Sequence, residues 1–455
     1  METPICEFVC RYIESGTLRM HMPGHKGAPL LGVEHLDITE IHGADSLYEA
    51  DGIIRQSEEH AGRLFGCPTF YSTEGSSQCI RAMLYLTLLW AKQQGKTTLI
   101  AAGRNAHKTF LSAAALLDLD VVWLTSGAQA SYLSCPLDAD GLAATLRDMQ
   151  TPPAAVYVTS PDYLGNILDI AALAKVCHDH GVLLLVDNAH GAYLKFLPES
   201  RHPMDLGADL CCASAHKTLP GLTGSAYLHL ASNAPTLFLE QARNALALFG
   251  STSPSYLILQ SLDLVNRWLA DGYADRLAAF LPLAATCKAR LTNHGYQILD
   301  DEPLKLTLQT RSYGYSGTEF AEVLRQRGIE CEFADPDFTV LMLTPELDAA
   351  GLQQVETVLL DIPRKPVLTD NPPRFALPER VCSIRDAALS PCQTIPAGQS
   401  LGRVLAAATV GCPPAVPIVV SGERIDEAAL RCFAYYGIEA CTVVSEHPRD
   451  THHPV

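Results

Sequence analysis

The chain has 455 residues, 48% of them apolar and 18% charged, and a formal net charge of -17. That length exceeds one compact core and predicts two or three domains, and that apolar fraction excludes a globally disordered chain. The acidic balance repels phosphate backbones, so no nucleic-acid partner is expected, while a small cationic substrate would be drawn in.

The 15 cysteines are odd in number and scattered, with no Cys-x-x-Cys pair. They read as reduced cysteines of a cytoplasmic protein rather than a disulfide framework. The 16 histidines show no His-Glu-x-x-His and no metal-ligand spacing with cysteine, so no metal is expected. Residues 1–5 lack a basic region followed by an apolar stretch, so no signal peptide is expected. The apolar runs are short and interrupted by charge, so no membrane span is expected either.

In chain order, residues 76–90 show apolar side chains at helical spacing. Short apolar runs follow at 98–101, 120–124, 155–159 and, most clearly, 182–187. They are continuous rather than alternating, as strands covered on both faces should be. Between the last two lies a helical stretch, 170–180, stopped at Gly181. This alternation predicts an α/β fold with a mostly parallel sheet between helical layers. After about residue 266 the pattern changes: helix 271–294, strand 304–308, helix 317–328, strand 340–343 and helix 348–360 predict a small α+β domain. Pro363, Pro366, Pro372 and Pro373 mark a linker to a C-terminal unit. The predicted units are an N-terminal segment 1–50, a large domain 51–265, a small domain 266–365 and a C-terminal unit 366–455.

Four segments carry candidate chemistry. An apolar strand leads into Ser214-Ala215-His216-Lys217-Thr218, a small-residue loop with one lysine. A lysine that reacts with an aldehyde must be desolvated or set beside other cations, which lowers its pKa. Alone, such a lysine is an ordinary solvated one. A second apolar strand ends at Asp187-Asn188-Ala189-His190-Gly191. A carboxylate at a strand's C-terminal end points into the crevice where open α/β sheets bind ligands, although aspartates there also cap helices. Thr73-Glu74-Gly75-Ser76-Ser77-Gln78 precedes a helix and offers free amides to an anion. Arg104-Asn105-Ala106-His107-Lys108-Thr109 follows a strand, so His107 either stacks on a ring or caps the next helix. The order of phosphate site, stacking residue, carboxylate and lysine fits pyridoxal 5'-phosphate. That cofactor needs a carboxylate at its pyridine nitrogen and a lysine at its aldehyde.

The sequence resembles the Orn/Lys/Arg decarboxylases, which have the aspartate-aminotransferase type of pyridoxal phosphate fold. The resemblance rests on Pro23-Gly24-His25-Lys26-Gly27, on Asp45-Ser46-Leu47-Tyr48 with Asp51-Gly52-Ile53-Ile54, and on the Lys217 motif. It also rests on Ser251-Thr252-Ser253-Pro254-Ser255-Tyr256 and on residues 328–335. It implies that Lys217 forms the Schiff base, Asp187 meets the pyridine nitrogen, and Ala189 and His107 pack on opposite faces of the ring. Gly75, Ser76, Ser77, Ser214 and His216 would hold the phosphate. The block containing Thr252 would reach a partner subunit's site, which implies a homodimer or an assembly of dimers. His190 stands where some members carry tryptophan. The chain resembles the short form without a flavodoxin-like wing, and 411–423 is a degraded Pro-Pro-Gly-x-Pro…Pro-Gly-Glu motif.

The implied reaction is decarboxylation of lysine, arginine or ornithine, with Lys217 or a histidine returning a proton to Cα. Asp45, Asp51, Glu332 and Glu423 are candidates to meet the substrate's distal cation. Another pyridoxal phosphate reaction, such as transamination with Arg311 on the α-carboxylate, stands as the alternative, and a non-catalytic regulatory relative as a third.

Overall fold

Seven strands form the central sheet: Thr69–Ser72 (β1), Leu99–Gly103 (β2), Asp120–Leu124 (β3), Ala155–Thr159 (β4), Leu183–Asp187 (β5), Leu210–Ser214 (β6) and Ala226–Leu230 (β7). The structure is a computed structural model that describes residues 1–125, 131–370, 372–374, 376–407 and 414–445. The strand order is β1-β7-β6-β5-β4-β2-β3. Strands β3, β2, β4, β5 and β6 run parallel, and β7 is antiparallel to both β6 and β1.

The side chains of β5 explain the layers. Leu183 and Leu185 pack on one face with Ile80, Met83 and Phe110, from the helices Gly75–Gln93 and Lys108–Leu117. Leu184 and Val186 pack on the other face with Leu142, Leu173 and Cys177, from the helices Ala139–Asp148 and Ile170–Asp179. Both faces are covered, so every residue of β5 and β6 is buried and the strands need no polar alternation. The helix Ile170–Asp179 starts where the Asp169 carboxylate accepts from the Ala172 amide at 3.0 Å. It stops before Gly181, whose φ of +66° suits a residue without Cβ.

The small domain is a sheet in the order β10-β11-β9-β8, from Ile298–Leu299 (β8), Lys305–Gln309 (β9), Phe333–Ala334 (β10) and Phe338–Met342 (β11). Its helices are Tyr273–His294, Gly317–Gln326 and Asp348–Leu360. Residues 265 and 266, the expected boundary, lie inside the helix Tyr256–Ala270, so the large unit runs past that point. This helix is also the seat of the N-terminal segment. Its Asp263 Oδ2 accepts from the amides of Ile5 and Cys6 at 3.0 and 3.1 Å, and so caps the helix Pro4–Glu14 from outside.

The linker prolines Pro363, Pro366, Pro372 and Pro373 lie outside any helix or strand. The C-terminal unit that follows has a three-stranded sheet, Cys392–Pro396 (β12), Leu405–Ala407 (β13) and Ala440–Val444 (β14), in the order β12-β14-β13, with the helix Glu427–Tyr435. Gly411, Cys412 and Pro413 of the degraded motif lie outside the described residues. Among the described residues no helix is long and apolar enough to cross a membrane.

Candidate active site

Four neighbouring parallel strands end on one edge of the sheet. Beyond β6 lies the single helical turn Ala215–Thr218, which carries Lys217; beyond β5 lie Asp187 to Gly191; beyond β4, residues 160–169; beyond β2, Arg104 to His107. A cavity of about 260 Å³ opens there. Asn105, His107, Asp187, Ala189, His190 and Lys217 form one wall of it, from the strand ends. Thr159, Leu133, Tyr163, Glu332, Pro414 and Val416 complete its lining, and the Asn105 side-chain amide joins the two groups by donating to the Leu133 carbonyl at 3.3 Å.

Asp187 is 3% exposed. Its Oδ2 accepts from the Tyr157 hydroxyl at 3.0 Å, and its Oδ1 accepts from the Ala189 amide at 3.2 Å and the Cys212 thiol at 3.4 Å. Lys217 Nζ lies 2.9 Å from His190 Nε2. Burial first, and then the Lys217 charge, holds the His190 imidazole well below its ordinary pKa, so the ring is neutral. Its Nδ1 is buried with no hydrogen-bond partner.

His107 combines the two roles that the sequence left open. It is the N-cap of the helix Lys108–Leu117, where its Nδ1 accepts from the Thr109 amide at 3.1 Å, and its ring lines the cavity. The proton of the neutral ring therefore sits on Nε2. Burial lowers its pKa to about 4, partly opposed by the Asp187 charge. Thr109 Oγ1 also meets Ser77 Oγ at 3.1 Å, which ties the His107 loop to the start of the helix Gly75–Gln93.

That helix start and the end of β6 bring together the residues expected to hold a phosphate. Gly75 has φ +70°, and a Cβ there would lie 3.9 Å from His216 Cε1. Its amide donates to the Gly224 carbonyl at 2.7 Å. Ser76 and Ser77 open the helix. Ser214 Oγ is buried without a partner. His216 Nδ1 donates to the Ser225 carbonyl at 2.8 Å, and burial lowers the ring's pKa.

Thr252 is exposed and outside this wall; the neighbouring Ser251 amide donates to Glu74 Oε1 at 2.6 Å. Its expected contact is with another subunit's site.

Of the four carboxylates offered for a distal cation, Glu332 alone borders the cavity. Asp45 is spent on its own turn, accepting from the amides of Ser46, Asp51, Gly52 and Ile54 at 2.9–3.1 Å. Asp51 is exposed. Glu423 is paired with Arg104 at 3.0 Å, both side chains buried. Arg311 is turned to Asp337 and Asp370, at 3.6 and 2.7 Å, and lines no part of the cavity.

Tyr163 was not singled out from sequence. Its hydroxyl donates to Glu332 Oε1 at 2.6 Å, and its ring meets His190 edge-on at 4.9 Å. The small domain fixes it from both sides: Lys305 Nζ donates to the Asp162 carbonyl at 3.1 Å and Thr307 Oγ1 to the Leu164 carbonyl at 2.8 Å. The one local signal was a Pro161-Asp162-Tyr163 turn just past a buried strand. Among the described residues no group of three or more His, Cys, Asp or Glu could hold a metal ion.

Comparisons with known proteins bear on the family and the fold. The family model "Orn/Lys/Arg decarboxylase, major domain" matches residues 3–297. The chain is 28% identical over 468 residues to an arginine decarboxylase of Bacillus subtilis (strain 168), covering 94% of this chain and 92% of that protein. It is 26% identical over 467 residues to an uncharacterized protein of the same strain, covering 95% and 93%. The crystal structure of a Francisella novicida lysine decarboxylase superimposes with a TM-score of 0.80 at 15% identity, over 97% of this chain and 81% of that one, a likeness of fold. The family model spans more than half of its length, and the chain belongs to the Orn/Lys/Arg decarboxylase family.

Proposed function

We propose that this protein is a pyridoxal-phosphate-dependent decarboxylase of a basic amino acid, lysine, arginine or ornithine. The observation that carries the reading is that Lys217, Asp187 and Glu332 line one cavity. The residues present fit the cofactor: Ser214 Oγ is a buried hydroxyl lacking a partner beside a helix start, as a phosphate requires. Ser76, Ser77, Ser214 and His216 would hold that phosphate, with Gly75 leaving it room. Ala189 and His107 would flank the ring, Asp187 would keep a proton on the pyridine nitrogen, and Lys217 would hold the aldehyde carbon. The bound cofactor supplies the electron sink for the bond broken at Cα.

The chain's own residues do the rest. Lys217 would be the residue that holds the cofactor between turnovers. Glu332 accepts from the substrate's distal cation, and the Tyr163 hydroxyl fixes which way that carboxylate faces. Orientation follows: with both ends of the substrate held, its α-carboxylate can be set perpendicular to the ring. Leu133, Pro414 and Val416 exclude water from that face. The neutral His190 ring, its Nε2 2.9 Å from Lys217 Nζ, can accept from the amine and aim it, so that Lys217 is the group that returns a proton to Cα. We place the protein in the cytoplasm as a homodimer or assembly of dimers, in which residues 251–256 reach a neighbouring subunit's cavity.

Purified protein supplied with pyridoxal phosphate is incubated with lysine, arginine and ornithine in turn. One of them yields CO2 and its amine in equal amounts. Keto-acid formation without CO2 would overturn the reading.

A further inference from the structure

We propose that Arg104 and Glu423 are positioning residues whose buried ion pair latches segment 414–423 over the cavity and couples that cover to the loop presenting His107. The inference rests on the cavity being the substrate site.

The loop between β2 and the helix Lys108–Leu117 is only four residues long, and both its ends grip the cover. At its start, Arg104 Nη1 donates to the Pro417 carbonyl at 3.0 Å, and Nη2 donates to the Ile418 carbonyl at 2.8 Å and to Glu423 Oε2 at 3.0 Å. The side chains of Arg104 and Glu423 are 1% and 3% exposed. Glu423 Oε2 also accepts from the Val420 amide at 2.8 Å. Past the other end of the loop, the Lys108 amide donates to the Ala415 carbonyl at 2.8 Å. Pro414 and Val416, on either side of Ala415, line the cavity. His107, between the two grips, lines it as well.

A buried ion pair adds little net stability over an apolar pair of the same volume. What a guanidinium adds is direction: a planar fork with donors at fixed angles, here spent on acceptors from one segment of the C-terminal unit. A cover held that way has one position, and the position of Pro414 and Val416 sets the depth of the substrate pocket. The cover and the His107 loop therefore shift together.

Lys108→Pro tests the latch. Lys108 is the first residue of its helix, where proline is tolerated, and His107 before it has φ −60° and ψ 147°, a conformation suited to a residue preceding proline. The substitution removes the amide that holds Ala415 and leaves the helix able to form. Glu423→Gln and Val416→Ala complete the set, all as holoenzymes. For the amino acid that wild type decarboxylates, KM rises on the order of tenfold in Lys108→Pro and Glu423→Gln, and kcat falls by less. Adding Val416→Ala to Lys108→Pro raises KM no further, because both act through one wall. Binding of the corresponding amine product, measured by calorimetry, weakens in parallel. A merely structural role would lower the melting temperature and leave KM and amine affinity unchanged, which overturns the proposal. Hydrogen exchange reads the coupling without turnover: Glu423→Gln speeds exchange in residues 104–108 as well as 414–423. Faster exchange in 414–423 alone would refute the coupling even in a protein that decarboxylates nothing, whereas absence of CO2 from wild type refutes the substrate reading and not the latch.

Discussion

The wall that carries Lys217 and the wall that carries Glu332 are built by different means. The first draws its side chains from the ends of adjacent parallel strands, whose spacing of about 4.8 Å fixes where each residue stands. Its members are held by short local bonds, such as Ala189 to Asp187 and Thr109 to His107. The second takes Tyr163 from a loop, Glu332 from beside the small sheet, and Pro414 and Val416 from the C-terminal unit. Those pieces meet through a few long-range bonds: Tyr163 to Glu332, Lys305 to the Asp162 carbonyl, and Arg104 to the cover. A stiff wall suits chemistry, and an assembled wall suits adjustment of what is bound.

Substitutions should separate the two walls by which kinetic constant they move. The largest effect is expected at Asp187. Asp187→Asn keeps the shape but removes the charge, and kcat should fall by about 10²–10³-fold with KM little changed. A loss smaller than tenfold would break the distinction. Glu332→Gln should act on the other constant, raising KM for the basic amino acid by roughly 10–100-fold. Tyr163→Phe removes the bond that aims Glu332, and should cost about 1 kcal/mol in kcat/KM. Were Tyr163→Phe as damaging as Glu332→Gln, the tyrosine would itself be touching substrate.

The same contrast explains what was legible in the sequence. Buried parallel strands announce themselves as apolar runs, so 120–124 and 155–159 match β3 and β4. The residues at their ends follow at once, because a strand's C-terminal end fixes where the next side chains point. Strands β1 and β7 close the sheet in antiparallel fashion and are paired across more than 150 residues, a separation that no local pattern reports. Carboxylates were the least readable groups. Asp45, Glu423 and Glu332 differ only in their partners: its own turn's amides, a buried arginine, and a tyrosine at the cavity edge. Those partners lie up to 319 positions away. Tyr163 escaped notice for the same reason, since its place depends on Lys305 and Thr307.

Smaller effects sharpen the comparison through stability. His107 is neutral in the folded state, its pKa lowered to about 4 by burial, whereas an unfolded histidine titrates near 6.5. Between those values the unfolded chain binds the extra proton, so the stability associated with His107 is present above about pH 6.5 and is lost as pH falls toward 4. His107→Asn keeps a good N-cap and removes that titration. Denaturant melts of the cofactor-free protein should then show a decline that is shallower by up to about 1.4 kcal/mol per pH unit in that window. An unchanged slope would mean that the ring is solvated. The smallest effect is expected in the cover. Ala415 has φ +56°, where glycine is at ease. Ala415→Gly relieves about 1 kcal/mol of backbone strain but removes a buried methyl group worth about 0.8 kcal/mol, so stability should stay within about 0.5 kcal/mol of wild type. A loss of about 1 kcal/mol or more would show that the methyl group packs the cover and that the strain is negligible.

The most direct test of the account is where the cofactor attaches. Protein loaded with pyridoxal phosphate is reduced with borohydride, digested and mapped by mass spectrometry. The account predicts the pyridoxyl group on the peptide containing Lys217, and no fixed cofactor in folded Lys217→Ala. Attachment at another lysine, or none in wild type, would contradict it.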